Sequence, residues 1–200
     1  MAVPSIAGSS ASEPTSPKRE HLLATAWRLF YRDGYRAVGI DTLLAEADVA
    51  KMTLYNHFDS KEELIVAVLE QRSRKLLAEL DASVGAAGRS PARRLAAIFD
   101  GLKQWFAKDE FKGCAFIRAL SEYPDPRHPI HRAAWAHKRA VNARLIQLAE
   151  AAGAKNPSAL ADTLSLLIDG AIIAAHATRS TDPADAARFA SNGLLKLATA

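Results

Sequence analysis

Ile40-Asp41-Thr42-Leu43-Leu44-Ala45-Glu46-Ala47-Asp48-Val49-Ala50-Lys51-Met52-Thr53-Leu54-Tyr55-Asn56-His57-Phe58 reads as two short helices joined by a tight turn, a helix-turn-helix. Leu43, Leu44 and Ala47 form an apolar stripe at helical spacing. Val49 follows the turn, and Leu54 and Phe58 recur four residues apart on the second helix. The turn falls at Asp48, a residue type that tolerates the left-handed conformation in which chains often leave a helix. With Leu54 and Phe58 directed to a core, the helical period turns Lys51, Met52, Thr53, Tyr55, Asn56 and His57 mostly outward. That face is polar, aromatic and hydrogen-bonding, as reading base edges in a major groove requires. An ordinary helical corner shows the same short pattern, so the flanking sequence has to decide.

The chain continues Asp59-Ser60-Lys61-Glu62-Glu63-Leu64-Ile65, where Ser60 and Glu63 form a capping box that opens a long helix directly after Phe58. Upstream, Ala26-Trp27-Arg28-Leu29-Phe30-Tyr31-Arg32-Asp33-Gly34-Tyr35 reads as a helix with an exit glycine. In order and spacing, Thr53 to Phe58 followed by Ser60-Lys61-Glu62-Glu63-Leu64 resembles the signature of TetR-type transcriptional repressors, and the upstream helix resembles that family's first. The resemblance spans residues 18 to 66.

The resemblance implies that Thr53, Tyr55 and His57 touch phosphates or base edges and that Lys61 meets a phosphate at the start of the fourth helix. Lys51, Met52 and Asn56 are outward neighbours on the same face, whereas Leu54 and Phe58 match core positions. The sequence departs from the family pattern in two places. Ala50 stands where many members carry a capping Ser or Thr, and Val38-Gly39 replaces a Thr/Ser pair at the start of helix two. Gly39 is still an acceptable cap, and Asp41 suits the positive helix end.

Composition fits without deciding. Two hundred residues, 49% of them hydrophobic, suffice for a substantial core. The net charge is +4 and the isoelectric point near 9.3, yet residues 18 to 80 carry ten Lys/Arg against ten Asp/Glu, so the basic excess lies further on. The local placing of Lys18, Arg19, Arg28, Arg32, Arg36, Lys51 and Lys61 therefore matters more than the total. A single cysteine, Cys114, excludes an internal disulfide framework and reads as a small buried residue. Residues 1–17, rich in Ser, Ala and Pro, read as a disordered leader rather than a signal peptide. The most apolar segment, 160–177, is interrupted by Asp162, Asp169 and His176, so no membrane span is expected.

No strand-like alternation or internal repeat occurs, and the expected fold is all-α with about nine helices. A helix-turn-helix part over residues 18–62 precedes a larger helical part over 63–200. The fourth helix is expected over about 60–82, with Gly85 and Gly88 breaking the chain before Ser90-Pro91 opens the fifth. Cys114 to Tyr123 is short and apolar, and the three prolines between Tyr123 and Pro129 mark a loop. Long helices follow over about 130–151, 157–178 and 183–197. Residues 113–129 also resemble a recurring form of the family's regulatory domain.

On the last two helices Leu164, Leu167, Ala171 and Ala174, with Phe189, Ala190, Gly193, Leu194 and Leu197, make apolar stripes. The family resemblance implies that such a pair meets its mate in a four-helix bundle; an intramolecular core has the same periodicity. It also implies a small-molecule pocket, for which Phe99, Trp105, Phe106, Phe116, Trp135 and His176 are lining candidates and Asp169 and Arg118 are polar anchors, for a mainly apolar ligand. His128, His131 and His137 lack metal-ligand spacing, and no phosphate loop or nucleophile elbow occurs, so no metal, cofactor or catalysis is expected. The expectation is a cytoplasmic homodimeric regulator that binds a palindromic duplex operator and is released by an effector. Its rival is a DNA-binding architectural protein that senses nothing.

Overall fold

Proline begins the helices of this chain more often than any other signal. It stands within the first two positions of α1 (Pro17–Asp33), α5 (Pro91–Phe106), α7 (Pro129–Ala151), α8 (Pro157–Thr178) and α9 (Asp182–Thr199). Its fixed φ and missing N–H cost nothing there. Between these lie α2 (Ile40–Ala47), α3 (Lys51–Tyr55), α4 (Lys61–Ala86) and α6 (Ala115–Glu122). The computed structural model describes residues 16–200, and among them there are nine helices and no strand. The leader expected over 1–17 lies outside the described residues, apart from Ser16 and Pro17, which open α1.

The turn of the helix-turn-helix is a Schellman motif. Asp48 adopts φ 50° and ψ 51°, its N–H bonds to the Ala45 carbonyl, and the Val49 N–H reaches back to the Leu44 carbonyl at 3.2 Å. Ala50 leaves α3 without a side-chain cap. Ser60 does cap α4, accepting from the Glu63 N–H at 3.1 Å, but the Glu63 carboxylate reaches back to the Asp59 N–H rather than that of Ser60. α4 also runs longer than expected, passing through Gly85 to Ala86. Leu80 and Val84 pack on the core below, which offsets the roughly 1 kcal/mol cost of a helical glycine. The chain breaks at Gly88, where φ is +81°.

Two apolar cores result. One gathers Leu22, Leu29, Phe30, Leu43, Leu54, Phe58, Leu64 and Val68 of α1 to α4 and continues without interruption into Phe116, Ala119 and Tyr123 at α6 and Ile130 and Ala134 of α7. The other joins α5, the second half of α7, α8 and α9 through Phe99, Phe106, Leu145, Leu164 and Ile168. The buried side chains therefore do not part at residue 62. α7 runs through both cores, and Cys114 packs against each. Exposed ion pairs, Arg144 with Asp81 and Arg188 with Asp100, join neighbouring helices at the surface, where such pairs are worth about 0–1 kcal/mol. α8 is long and apolar enough by composition to cross a membrane, but it packs between α7 and α9 and pairs its Asp169 with Lys138.

Leu54 is completely buried. Leu54→Ala is expected to destabilise the protein by about 2–5 kcal/mol, read as a lower urea midpoint at unchanged slope.

Candidate nucleic-acid interface and its attachment to the helical body

α3 divides its residues sharply. Leu54 is sealed, while Met52 is 69% and Tyr55 40% exposed. Lys51 and Asn56 are exposed beside them, and Thr53 and His57 are half-buried at the edges. The Lys51 ammonium lies 6.0 Å from the Tyr55 ring centroid, and His57 stands edge-on to Phe58. The six residues expected on the outward face thus share one surface. Lys61 joins it from the first turn of α4, its ammonium 3.4 Å from the Arg36 carbonyl. Partial burial holds its pKa below the ordinary lysine value.

This surface is carried by α1, whose C-terminal end is fastened to α6. The Arg118 guanidinium donates to the carbonyls of Phe30 and Tyr31, at 3.3 and 2.9 Å, and to that of Lys112. These are the last-turn carbonyls of α1, which have few partners inside their own helix and favour a cation. One turn later on α6, Glu122 accepts from the N–H groups of Tyr35 and Arg36, at 3.2 and 2.7 Å. The Tyr35 hydroxyl donates to the Ala115 carbonyl, and the Tyr31 hydroxyl donates to Gly113 and accepts from the Lys112 N–H. Burial raises both phenol pKa values above normal, so both hydroxyls keep their protons.

The residues expected to line one pocket lie in separate places. Trp105 and Phe106 form an aromatic group with Phe111, and His176 stands edge-on to Phe111 at 6.1 Å. His176 also lies against Gly113, so the 111–113 segment sits between α8 and Tyr31 of α1. Phe99 is buried with Phe106 in the second core, against which Trp105 and Phe111 pack, whereas Phe116 is buried in the first and so lies apart from that group. Trp135 is 52% exposed. Arg118 is committed to backbone carbonyls and Asp169 to Lys138, while Asn142 of α7 holds Asp162. The polar interruptions of α8 at Asp162 and Asp169 are thus accounted for by α7. Sequence reasoning missed Glu122, Tyr31 and Tyr35; the exit glycine at Gly34 was the available signal for a close approach there. Among the described residues no three His, Cys, Asp or Glu side chains converge. His128 caps α7 and His131 bonds to the Tyr123 carbonyl. Burial raises the Cys114 thiol pKa above normal, which leaves it poorly reactive.

The outer face of α8 and α9 is apolar and exposed. Leu166, Ile173, Phe189 and Leu197 are 74, 56, 82 and 77% exposed. An open groove of about 580 Å³ between the two helices is lined by Leu167, Gly170, Ala171, Ala174, Pro183 and Ala186. Ala190 and Leu194 are half-buried and Gly193 is exposed. Leu164 departs from expectation: it is 1% exposed, sealed in the intramolecular core. Leu166 and Ile173, two exposed members of the patch, were not anticipated.

Residues 22–68 match a family model described as bacterial regulatory proteins, tetR family, and residues 91–191 one described as the tetracyclin repressor-like C-terminal domain. The chain is 32% identical to the HTH-type transcriptional repressor NemR of Escherichia coli over 176 residues, covering 82% of this chain and 87% of that protein. The crystal structure of SCO4454, a TetR-family transcriptional regulator from Streptomyces coelicolor, superposes with a TM-score of 0.87 at 34% identity, over 92% of this chain and 91% of that one. Reduced NemR of E. coli gives 0.80 at 27% identity, over 90% and 98%.

One buried base lies between α4 and α7. His137 stacks on Phe116 with ring centroids 3.6 Å apart, and its Nδ1 is hydrogen-bonded to the Ser73 hydroxyl at 2.9 Å. Burial, reinforced by the cations Lys138, Arg144 and Arg72, pushes its pKa down to about 4. The unfolded chain therefore takes up this proton near the ordinary value of about 6.5, before the folded one does. The neutral form's contribution to stability is complete above that pH and is lost as pH falls through about 4. Urea denaturation between these limits is expected to show a fall approaching about 1.4 kcal/mol per pH unit, reduced in His137→Gln.

Proposed function

The chain belongs to the TetR family of bacterial regulatory proteins, and from that premise we propose that it is a homodimeric, ligand-responsive repressor. It is a DNA-binding transcriptional regulator. In this reading it binds a palindromic operator and leaves it when a small, mainly apolar effector binds. Residues 18–62 contact DNA and residues 63–200 dimerise and sense the effector. It acts by binding rather than turnover, in the cytoplasm where the chromosome is.

The exposed face of α3 carries this reading. A five-residue helix that seals Leu54 and leaves Met52 and Tyr55 in solvent has the shape of an element made to enter a groove. Lys51, Met52, Thr53, Tyr55, Asn56 and His57 take base edges and flanking phosphates, and Lys61 takes a phosphate at the positive end of α4. The apolar patch on α8 and α9 supports the two-fold mate, because contiguous exposed apolar surface of this kind marks an association site. Two heads on one axis read half-sites about 34–36 Å apart, or a multiple of that spacing. Trp105, Phe106 and Phe111 beside His176 support an apolar effector. The adjoining 111–113 segment, bonded to Tyr31, supplies its route to α1.

Selection from randomised duplex DNA, with the mass of the complex recorded, tests the reading: a two-fold symmetric sequence bound by a dimer or paired dimers is expected, and the absence of enrichment would overturn it. On the selected site Tyr55→Ala is expected to weaken binding by roughly tenfold and alter base preference, whereas Lys61→Ala weakens all sequences alike and lowers the salt slope by about 1. Phe189→Asp, which forces a carboxylate into the apolar contact, is expected to give monomers by analytical ultracentrifugation with the helical content retained.

A further inference from the structure

We infer that Glu122 is a positioning residue for operator recognition: through the backbone of the α1–α2 turn it fixes the angle of the DNA-binding head on the helical body, and with it the half-site spacing the protein accepts. The inference rests on the dimeric, two-fold reading above and goes beyond it by assigning spacing specificity to a residue outside the helix-turn-helix.

Two kinds of attachment join the head to α6. The apolar one, Phe116, Ala119 and Tyr123 against Phe30 and Tyr35, is non-directional and tolerates sliding and rotation. The polar one is directional. Arg118 and Glu122 stand four residues apart on one helix face, the cation on the carbonyls that end α1 and the anion on the amides that follow. Gly34 makes the approach possible. Its φ is +96°, and a Cβ there would lie 2.9 Å from a Glu122 carboxylate oxygen. The backbone of Arg36 is held at both its polar groups, its N–H by Glu122 and its carbonyl by Lys61, and the Arg36 guanidinium lies over the Tyr123 ring at 5.0 Å. A bidentate carboxylate on two successive amides leaves the turn one orientation, and α2 begins four residues beyond Arg36.

One base pair added between half-sites moves the second by about 3.4 Å and turns it by roughly 34°. A rigid head therefore loses the second half-site's contacts, whereas a head released at the α1–α2 turn, with Arg118 still on the end of α1, follows it in part. The test compares full-length wild type with Glu122→Ala and Glu122→Gln on the selected operator and on versions with one or two base pairs inserted or removed. Wild type is expected to discriminate by at least about tenfold between spacings. In Glu122→Ala that ratio should fall several-fold below the wild-type value, with weaker binding to the best site, unchanged dimer mass and faster exchange of the Tyr35 and Arg36 amides. A purely structural loss lowers the active fraction equally on every operator and leaves the ratio intact. Should Glu122→Ala fail to fold, Glu122→Gln, which keeps the shape and loses the charge, carries the same comparison, and Gly34→Ala offers an independent route to the same relaxation. A symmetric site with wild-type discrimination retained in the variants overturns this inference alone, whereas no symmetric site in the wild type overturns the dimeric reading with it.

Discussion

Five residues of helix cannot hold themselves together in water, where isolated helices shorter than about 12–15 residues are marginal. α3 has no side-chain cap and spans only Lys51–Tyr55. It is helical because Leu54 and Phe58 are sealed against α1 and α4 and because the Schellman turn at Asp48 delivers the chain in the right direction. The surface proposed to meet DNA is consequently a property of the core beneath it. Removal of apolar area from water, at about 25 cal/mol per Å², keeps Met52 and Tyr55 exposed by keeping their neighbours buried.

That core does not stop at the helix-turn-helix. It runs through Phe116, Ala119 and Tyr123 into α6 and on to Ile130 and Ala134 of α7, while the far half of α7 belongs to a second core with α5, α8 and α9. A change of packing around α8 therefore has a covalent and a side-chain path to α1. Near the centre of that path is the 111–113 segment, with His176 on one side and Tyr31 on the other. Hydrogen bonds rather than apolar packing give this path its geometry, since Arg118 and Glu122 address individual backbone groups of α1 and the turn after it.

Some residue assignments changed between sequence and structure, and the reason is the same each time. Arg118 and Asp169 have the chemistry of ligand anchors, but a charged side chain takes whichever partner the fold brings near, here α1 carbonyls and Lys138. Trp135 has the composition of a pocket wall and stands in solvent. Leu164 and Leu167 fall on one stripe, yet Leu164 is buried within the chain and Leu167 lines the open groove. Gly85 looked like a helix break and lies in the last turn of α4, because Leu80 and Val84 gain more from packing than one glycine costs.

Local rules act over a few residues and could be read directly. Prolines at helix starts, the left-handed exit at Asp48, the capping residue Ser60 and the four-residue spacing of Leu54 and Phe58 determined the order of the helices and the outward face of α3, because turn geometry and helical period depend only on near neighbours. Tertiary structure decided the rest: which apolar stripes face another helix and which face solvent, that α6 belongs with the DNA-binding head, and that Glu122 meets the amides of residues 35 and 36 across 86 and 87 positions of sequence. Burial and hydrogen bonding are paid out between groups that meet only after folding, so nothing within a helical turn of Glu122 or Arg118 announces their partners.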